Sequence, residues 1–113
     1  MKILSREEIL ALDDRPTEIV EVPEWGGAVR VRGMSVGQRA QLLKRIQGPD
    51  GEIDPEKASI IAFIEGVVEP KFTMEDYEAL AEKSAEAMDR VTMAFMRLSG
   101  VEVGAIEAAR KNS

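Results

Sequence analysis

Two stretches near the N-terminus alternate between apolar and polar residues, Thr17 to Val22 and Ala28 to Arg32. Successive side chains of a β-strand point to opposite faces, so this period of two predicts two half-buried strands. The intervening Pro-Glu-Trp-Gly-Gly combines a proline, which cannot donate to a strand ladder, with glycines that permit a tight turn. Residues 17–32 are therefore predicted to form a β-hairpin with Trp25 at its tip.

The remainder of the chain changes to the spacing of amphipathic helices, and polar residues mark where they start. Ser5 and Ser35 each stand three residues before a Glu or Gln, which is the pattern of a capping box. Thr73 is a third cap, and Asp54 precedes a proline in the first helical position. Helices are predicted over residues 6–12, 36–47, 55–68, 74–83 and 85–99.

The last helical stretch leaves one choice open. Ser84 either caps a new helix or marks a bend in a continuous one, and Gly100 is placed for a C-terminal cap. Residues 101–113 have weak amphipathicity, so a loosely ordered C-terminal tail is predicted there.

Apolar spacing predicts the inward side of each helix. In residues 55–68 the stripe consists of isoleucines and valines, and Phe63 falls outside it. Along the last helix, Thr92, Met93 and Met96 form a second apolar edge. The side chains predicted to face inward are Ile9, Leu12, Leu42, Leu43, Ile46, Ile60, Ile61, Ile64, Val67, Val68, Met74, Tyr77, Leu80, Ala81, Met88, Val91, Phe95 and Leu98.

Together these elements predict an α+β fold that is mainly α, with an N-terminal β-hairpin packed on a small four- or five-helix bundle. The length of 113 residues fits a single domain, residues 1–113, with a folded core over residues 5–100. Two strands alone are marginal in water, so the hairpin requires a helix to pack on or another chain's strand to pair with.

Composition removes several classes of function. The chain has no Cys and no His, which excludes disulfides, thiol nucleophiles, the usual zinc ligands and the commonest general base near neutral pH. The apolar run at the start is too short for a signal peptide, and no stretch approaches the roughly 18 apolar residues of a membrane span. We expect a cytoplasmic protein that does not act at a membrane.

The remaining polar clusters have structural explanations. Adjacent acids such as Glu7 and Glu8 stand at helix starts or turns, where they suit the helix dipole. The acidic stretch 50–54 lacks the glycine and glutamate that a calcium loop requires, and Gly26 and Gly27 are explained by the hairpin turn. We predict no catalytic residue, no cofactor and no metal site, and hence no enzyme.

Charge is distributed unevenly. The chain carries a net charge of −6, which argues against nucleic acid as a partner. The segment from Trp25 to Pro49, called the basic segment below, contains Arg30, Arg32, Arg39, Lys44 and Arg45 without an acid, between two acidic flanks. It can pair with an acidic partner or with a second copy of the chain, or its charges are answered by the protein's own acids. The last interpretation is favoured because mixed surface charge is ordinary.

Five residues are predicted to contact a partner. Trp25 has the side chain most enriched in interface hot spots, although a role in the core is favoured slightly, since large side chains are scarce here. Arg30 and Arg32 share one edge of the hairpin. Met93 and Met96 belong to a helix that is apolar on more than one side, and methionine surfaces adapt to varied apolar ligands. That helix either lies at the centre of the bundle or presents this edge to a partner.

The sequence resembles tail assembly chaperones of long-tailed, siphovirus-type bacteriophages and prophages. The similarity is carried by the hairpin VEVPEWGGAVRVRGMS, the helix capped by Ser35, the segment VVEPKFTMEDYEALAEKSAEAMDRV and the SGV that ends at Val101. It extends from Ser5 to about Val101, and the Pro-Glu-Trp-Gly-Gly hairpin followed by a serine-capped helix is its most specific part.

The resemblance implies a protein without catalytic activity. Such chaperones bind the long, aggregation-prone tape measure protein, keep it soluble in the host bacterial cytoplasm, help to recruit the tail tube protein (the major tail protein), and leave before the virion matures. In many phages a ribosomal frameshift makes a longer form. The alternative expectation is a subunit that stays in the virion, such as a head–tail connector or tail terminator protein.

Overall fold

A computed structural model describes residues 1–101 of the chain. Five α-helices and one three-stranded antiparallel sheet confirm the predicted α+β, mainly α fold. The strands are β1 (Thr17–Val22), β2 (Gly27–Arg32) and β3 (Val67–Glu69). The helices are α1 (Arg6–Ala11), α2 (Val36–Arg45), α3 (Pro55–Gly66), α4 (Tyr77–Ala81) and α5 (Ala85–Leu98), with short 3-10 turns at Pro23–Trp25 and Met74–Asp76.

The hairpin forms as predicted. Strands β1 and β2 pair antiparallel, with Val20 opposite Val29 and Thr17 opposite Arg32. Pro23 begins the turn directly after β1, where its missing N–H costs no ladder hydrogen bond. Gly26 closes the turn with φ at 69°, a left-handed conformation that glycine adopts without strain.

The prediction that the third long helix extends to Val68 is wrong. Helix α3 ends at Gly66, and the next three residues form β3, which pairs with β2 through Val67 opposite Val31. β-Branched valines favour the extended backbone, and Pro70 prevents a helix from continuing beside it. The apolar positions of Val67 and Val68 fit either period, so spacing alone could not separate the two conformations.

Helix α3 is the centre of the core and is apolar on nearly every side. Phe63, which the predicted stripe left out, is fully buried and stacks edge-on with Trp25 and at a tilt with Phe72, at centroid distances of 5.9 and 5.2 Å. A helix enclosed by other elements has no polar face, so a search for one stripe misses part of its buried surface.

Close packing of α3 against α5 depends on Gly66. A Cβ atom at this position would lie 2.5 Å from Cγ of Phe95, which is fully buried. Only hydrogen fits there without a shift of the ring or the helix.

Caps start most of the helices where expected, with two differences. Thr73 caps the 3-10 turn Met74–Asp76, and α4 begins only at Tyr77. Ser84 caps a separate helix, α5, because its hydroxyl accepts a hydrogen bond from the Ala87 amide at 3.2 Å. The Ser35 hydroxyl accepts from the Gln38 amide at 3.0 Å, but the Gln38 side chain does not return to the cap. It donates instead to the backbone and the carboxylate of Glu65, both at 3.1 Å, so the predicted capping box is only half formed.

Residues 1–12, called the N-terminal arm below, contradict the prediction that Ile9 and Leu12 face inward. Helix α1 has the predicted capping box at Ser5, yet it buries no residue, and the side chains of Ile9 and Leu12 are 54% and 58% exposed. Within residues 1–101, no neighbouring element buries a side chain of α1.

Three other side chains predicted to face inward are exposed: Leu43, Met74 and Ala81. Met74 lies in the 3-10 turn that precedes α4, so it does not share the helical spacing that predicted its burial. Gly100 has the positive φ of 76° expected of a C-terminal cap.

In residues 1–101, every helix falls short of the length and apolarity needed to cross a bilayer. The predicted tail falls outside the described residues from position 102 onward.

Candidate helix-binding groove

An open groove of about 430 Å³ lies between α2 and α5. Its volume is within the usual range for binding clefts, roughly 300–1,000 Å³. The apolar side chains that give it its character are Met34, Leu42, Leu43, Ile46, Ile53, Met93 and Met96. Hereafter this feature is called the groove.

Helix α2 supplies one wall, because some of its apolar side chains are buried in the core while another is exposed on the groove. Leu42 and Ile46 are buried and hold the helix against the core, whereas Leu43 is 51% exposed and lines the groove. The helix contains no acid, and Arg39 lies on the groove while Lys44 is exposed nearby on the same helix. This wall therefore combines apolar contact area with positive charge.

Helix α5 supplies the opposite wall. Val91 and Phe95 are fully buried toward α3, while Met93 is 50% exposed and Met96 is half-buried on the groove side. Thr92 also lines the groove, but its hydroxyl donates to the Met88 carbonyl at 2.8 Å, so it brings no unpaired polar group to the surface. Asp89, which is exposed, is the charged side chain of this wall that a covering partner would have to accommodate.

The groove brings together two of the five predicted contact residues, Met93 and Met96. The apolar spacing of the last helix was enough to find them. Leu43 was predicted to be buried, and Met34 and Ile53 lie outside the helices, where no helical periodicity marks them. A contact made by residues from two connecting segments and three helices, α2, α3 and α5, has no signature in local sequence.

Arg30 and Arg32 lie elsewhere, on the sheet, and each has an acidic partner within the chain. Arg30 pairs with Glu69 of β3 at 3.3 Å, and Arg32 pairs with Asp13 at 2.6 Å. The hydrogen bond from the Arg32 guanidinium lowers the pKa of the Asp13 carboxyl from its ordinary value. The protein's own acids thus form ion pairs with both arginines, and contact of Arg30 and Arg32 with a partner remains a prediction.

The other cations of the basic segment divide in the same way. Arg45 forms an ion pair with Glu65 of α3. Arg39 and Lys44 have no acidic partner among residues 1–101, although the acid Asp89 also lies on the groove. Within residues 1–101, the cations of the basic segment that lack an acidic partner are therefore Arg39 and Lys44, and both belong to α2.

Trp25 lies at the hairpin tip, apart from the residues that line the groove. Its ring packs edge-on against Phe63, and 36% of the residue remains exposed. Glu24, beside it, pairs with Arg90 of α5, and that hydrogen bond lowers the pKa of the Glu24 carboxyl. The tip is therefore fixed on the helices, and both roles considered for Trp25 are compatible with this position.

The acidic loop between α2 and α3 is organised by its own hydrogen bonds. The Glu52 amide donates to Oδ1 of Asp50 at 3.1 Å, and the Gly48 amide donates to the Glu52 carbonyl at 2.7 Å. Within residues 1–101, no three acidic side chains come together as a set of metal ligands.

Comparison of the chain with protein-family models, with curated proteins and with solved structures gives no match. The groove is therefore the feature of residues 1–101 that bears on function. Its apolar walls, thioether side chains and basic edge suit one face of an amphipathic helix, which would place side chains spaced by three or four residues between α2 and α5.

Proposed function

We propose that this protein is a tail assembly chaperone of a long-tailed bacteriophage or prophage. It binds the apolar faces of helices in the tape measure protein, keeps that protein soluble in the host cytoplasm, and helps to recruit the tail tube protein. It acts by contact alone and catalyses no reaction. The resemblance of residues 5–101 to such chaperones gives the class, and the groove is the observation that carries the mechanism.

The composition of the groove supports this mechanism. A tape measure protein presents many helical turns whose apolar side chains differ in shape, so a binding surface must adapt to each. Methionine has an unbranched, flexible side chain that fills irregular gaps, and three methionines, Met34, Met93 and Met96, line the groove. Exposed Leu43 on the opposite wall adds apolar area.

The lack of the commonest catalytic side chains also supports a binding function without catalysis. The chain lacks His and Cys, the commonest general base and the thiol nucleophile, and the acids along residues 1–101 are engaged mostly in caps, turns and surface ion pairs. None of these acids lines the groove except Asp89. One carboxylate beside an apolar surface does not form an acid–base pair.

The test is co-purification with a tape measure fragment expressed in the same cell. The variant Leu43→Asp combined with Met93→Asp places one charge on each wall, and both side chains are about half exposed, so the fold should persist. Met96 is a poorer target because it packs partly against the core. We expect the recovery of the fragment to fall more than about ten-fold, since a buried unpaired carboxylate opposes docking.

Met74→Asp is the matched control, because Met74 is also exposed, at 46%, and does not line the groove. This control should capture the fragment like the parent chain. Equal capture by the Leu43/Met93 variant would remove the groove from the mechanism. Recovery of the protein in stoichiometric amounts from purified virions would contradict a chaperone and favour the connector or terminator subunit.

A further inference from the structure

The chain leaves α5 on the side of the groove. A Schellman turn closes the helix: the Gly100 amide donates to the Arg97 carbonyl at 3.1 Å, and the Val101 amide donates to the Met96 carbonyl at 2.9 Å. The second of these bonds brings Val101 back beside the last turn of the helix, and Val101 and Met96 both line the groove. Whatever follows Val101 in the chain therefore starts at the groove.

The part of the chain that follows is long enough to cover the groove. Residues 102–113, called the C-terminal segment below, are twelve residues. A peptide of this length spans about 18 Å as a helix and about 40 Å when extended. The groove wall from Met96 to Asp89 rises about 10 Å along α5, at 1.5 Å per residue. The C-terminal segment can therefore reach every residue of that wall.

The composition of the C-terminal segment suits an apolar surface. Five of its twelve residues are apolar: Val103, Ala105, Ile106, Ala108 and Ala109. Its two acids and two bases balance, so apolar contact and connectivity select it as the occupant, and charge does not. Attachment at Val101 gives it a roughly millimolar effective concentration at its own groove, which favours it over the same segment of a second copy.

We infer that the C-terminal segment lies across the groove of its own chain and covers it until a partner helix displaces it. The cover is weak, because Val103 and Ile106 are the only large apolar side chains of the segment. It shields Leu43 and Met93 from non-specific contact, yet yields to a helix that makes more contacts. The inference rests on the proposed function, since it takes the groove as the site of the tape measure helix.

The test is thiol labelling of the full chain, which has no cysteine of its own. Met93→Cys places one thiol on the groove, and Met74→Cys places one at a residue that is 46% exposed but does not line the groove. Each is compared with and without Val103→Asp and Ile106→Asp, which put two charges on the segment. We expect the two aspartates to speed maleimide labelling at position 93 more than about five-fold and to leave position 74 unchanged, because they uncover the groove.

Leu43→Cys repeats the measurement on the opposite wall and should respond like position 93. Equal labelling rates with and without the aspartates, at either groove position, would overturn the inference. Protection that disappears on dilution would also overturn it, since a tethered segment acts at any protein concentration, whereas a second copy does not. Unchanged far-UV circular dichroism of each variant excludes unfolding as the cause of faster labelling.

Capture of the tape measure fragment separates this inference from the proposed function. The variant with aspartates at positions 103 and 106 should capture the fragment at least as well as the parent, because its groove has no competitor. If the segment protects the groove but no fragment is captured, the cover stands and the chaperone proposal fails. If capture requires Leu43 and Met93 but the segment does not change labelling, the reverse holds.

Discussion

Helix α5 presents two edges to two different surroundings. Toward α3, Val91 and Phe95 are fully buried, and Phe95 packs so closely that residue 66 must be glycine. Toward the groove, Met93 is half exposed and Met96 is half-buried. One helix thus contributes rigid aromatic packing on one edge and flexible thioethers on the other. The comparison indicates that the α3 edge holds the helix in the fold, so the groove edge, which the proposed function uses for binding, can be altered separately.

Truncation of the packed edge should have the largest effect. Phe95→Ala removes a fully buried ring and leaves a cavity beside α3, and we expect it to cost about 3–5 kcal/mol of the free energy of unfolding. Urea denaturation measures this directly. Met93→Ala, on the other edge, is the matched control and should change the free energy by less than about 0.5 kcal/mol. Comparable costs for the two variants would abolish the distinction between the edges.

A methyl group added at the α3–α5 contact should have an intermediate effect. Gly66→Ala forces a Cβ atom against the Phe95 ring, and overpacking of this kind costs about 1–3 kcal/mol. In the Phe95→Ala background the ring is gone, so the same substitution should cost much less. This double-mutant cycle isolates the contact. An equal cost in both backgrounds would assign the effect to the backbone of α3.

Tyr77 on α4 lies between the two extremes, since it is partly buried at the margin of the core. Burial, together with the hydrogen bond that its hydroxyl donates to Glu56 at 2.9 Å, raises its pKa from 10.0 to about 12. The unfolded chain then loses this proton first, so stability should decline as pH rises from about 10 to about 12. Tyr77→Phe should lack this part of the decline, a difference below about 1 kcal/mol at such a solvated site. Parallel thermal-unfolding profiles for the two chains above pH 10 would show that the tyrosine is not coupled to folding.

Local signals predicted the elements whose causes are local. The glycine-containing turn of the hairpin, the cap at Ser5 and the proline-led start of α3 all depend on neighbours within three or four residues. These signals were sufficient for the fold class and for most helix boundaries.

Contacts between distant parts of the chain were not predictable in this way. Val67 is extended because β2 offers it a partner 36 residues earlier in the chain. Phe63 is fully buried and packs against Trp25 of the hairpin tip and against Phe72. Of the groove, only the methionines of α5 could be found from periodicity. The exposure of Ile9 also depends on distant parts of the chain. An apolar stripe shows that a helix can pack against another element, but not that such an element lies beside it.

Gln38 gives the molecule a mechanical property. Its amide accepts from Arg15 at the root of the arm and donates to Glu65 of α3, and Glu65 in turn holds Arg45 at the far end of α2. The base of the N-terminal arm is therefore attached to α2, the helix that forms one wall of the groove. A molecule that binds the arm would therefore be held at a defined orientation to α2 and to the groove wall that α2 forms.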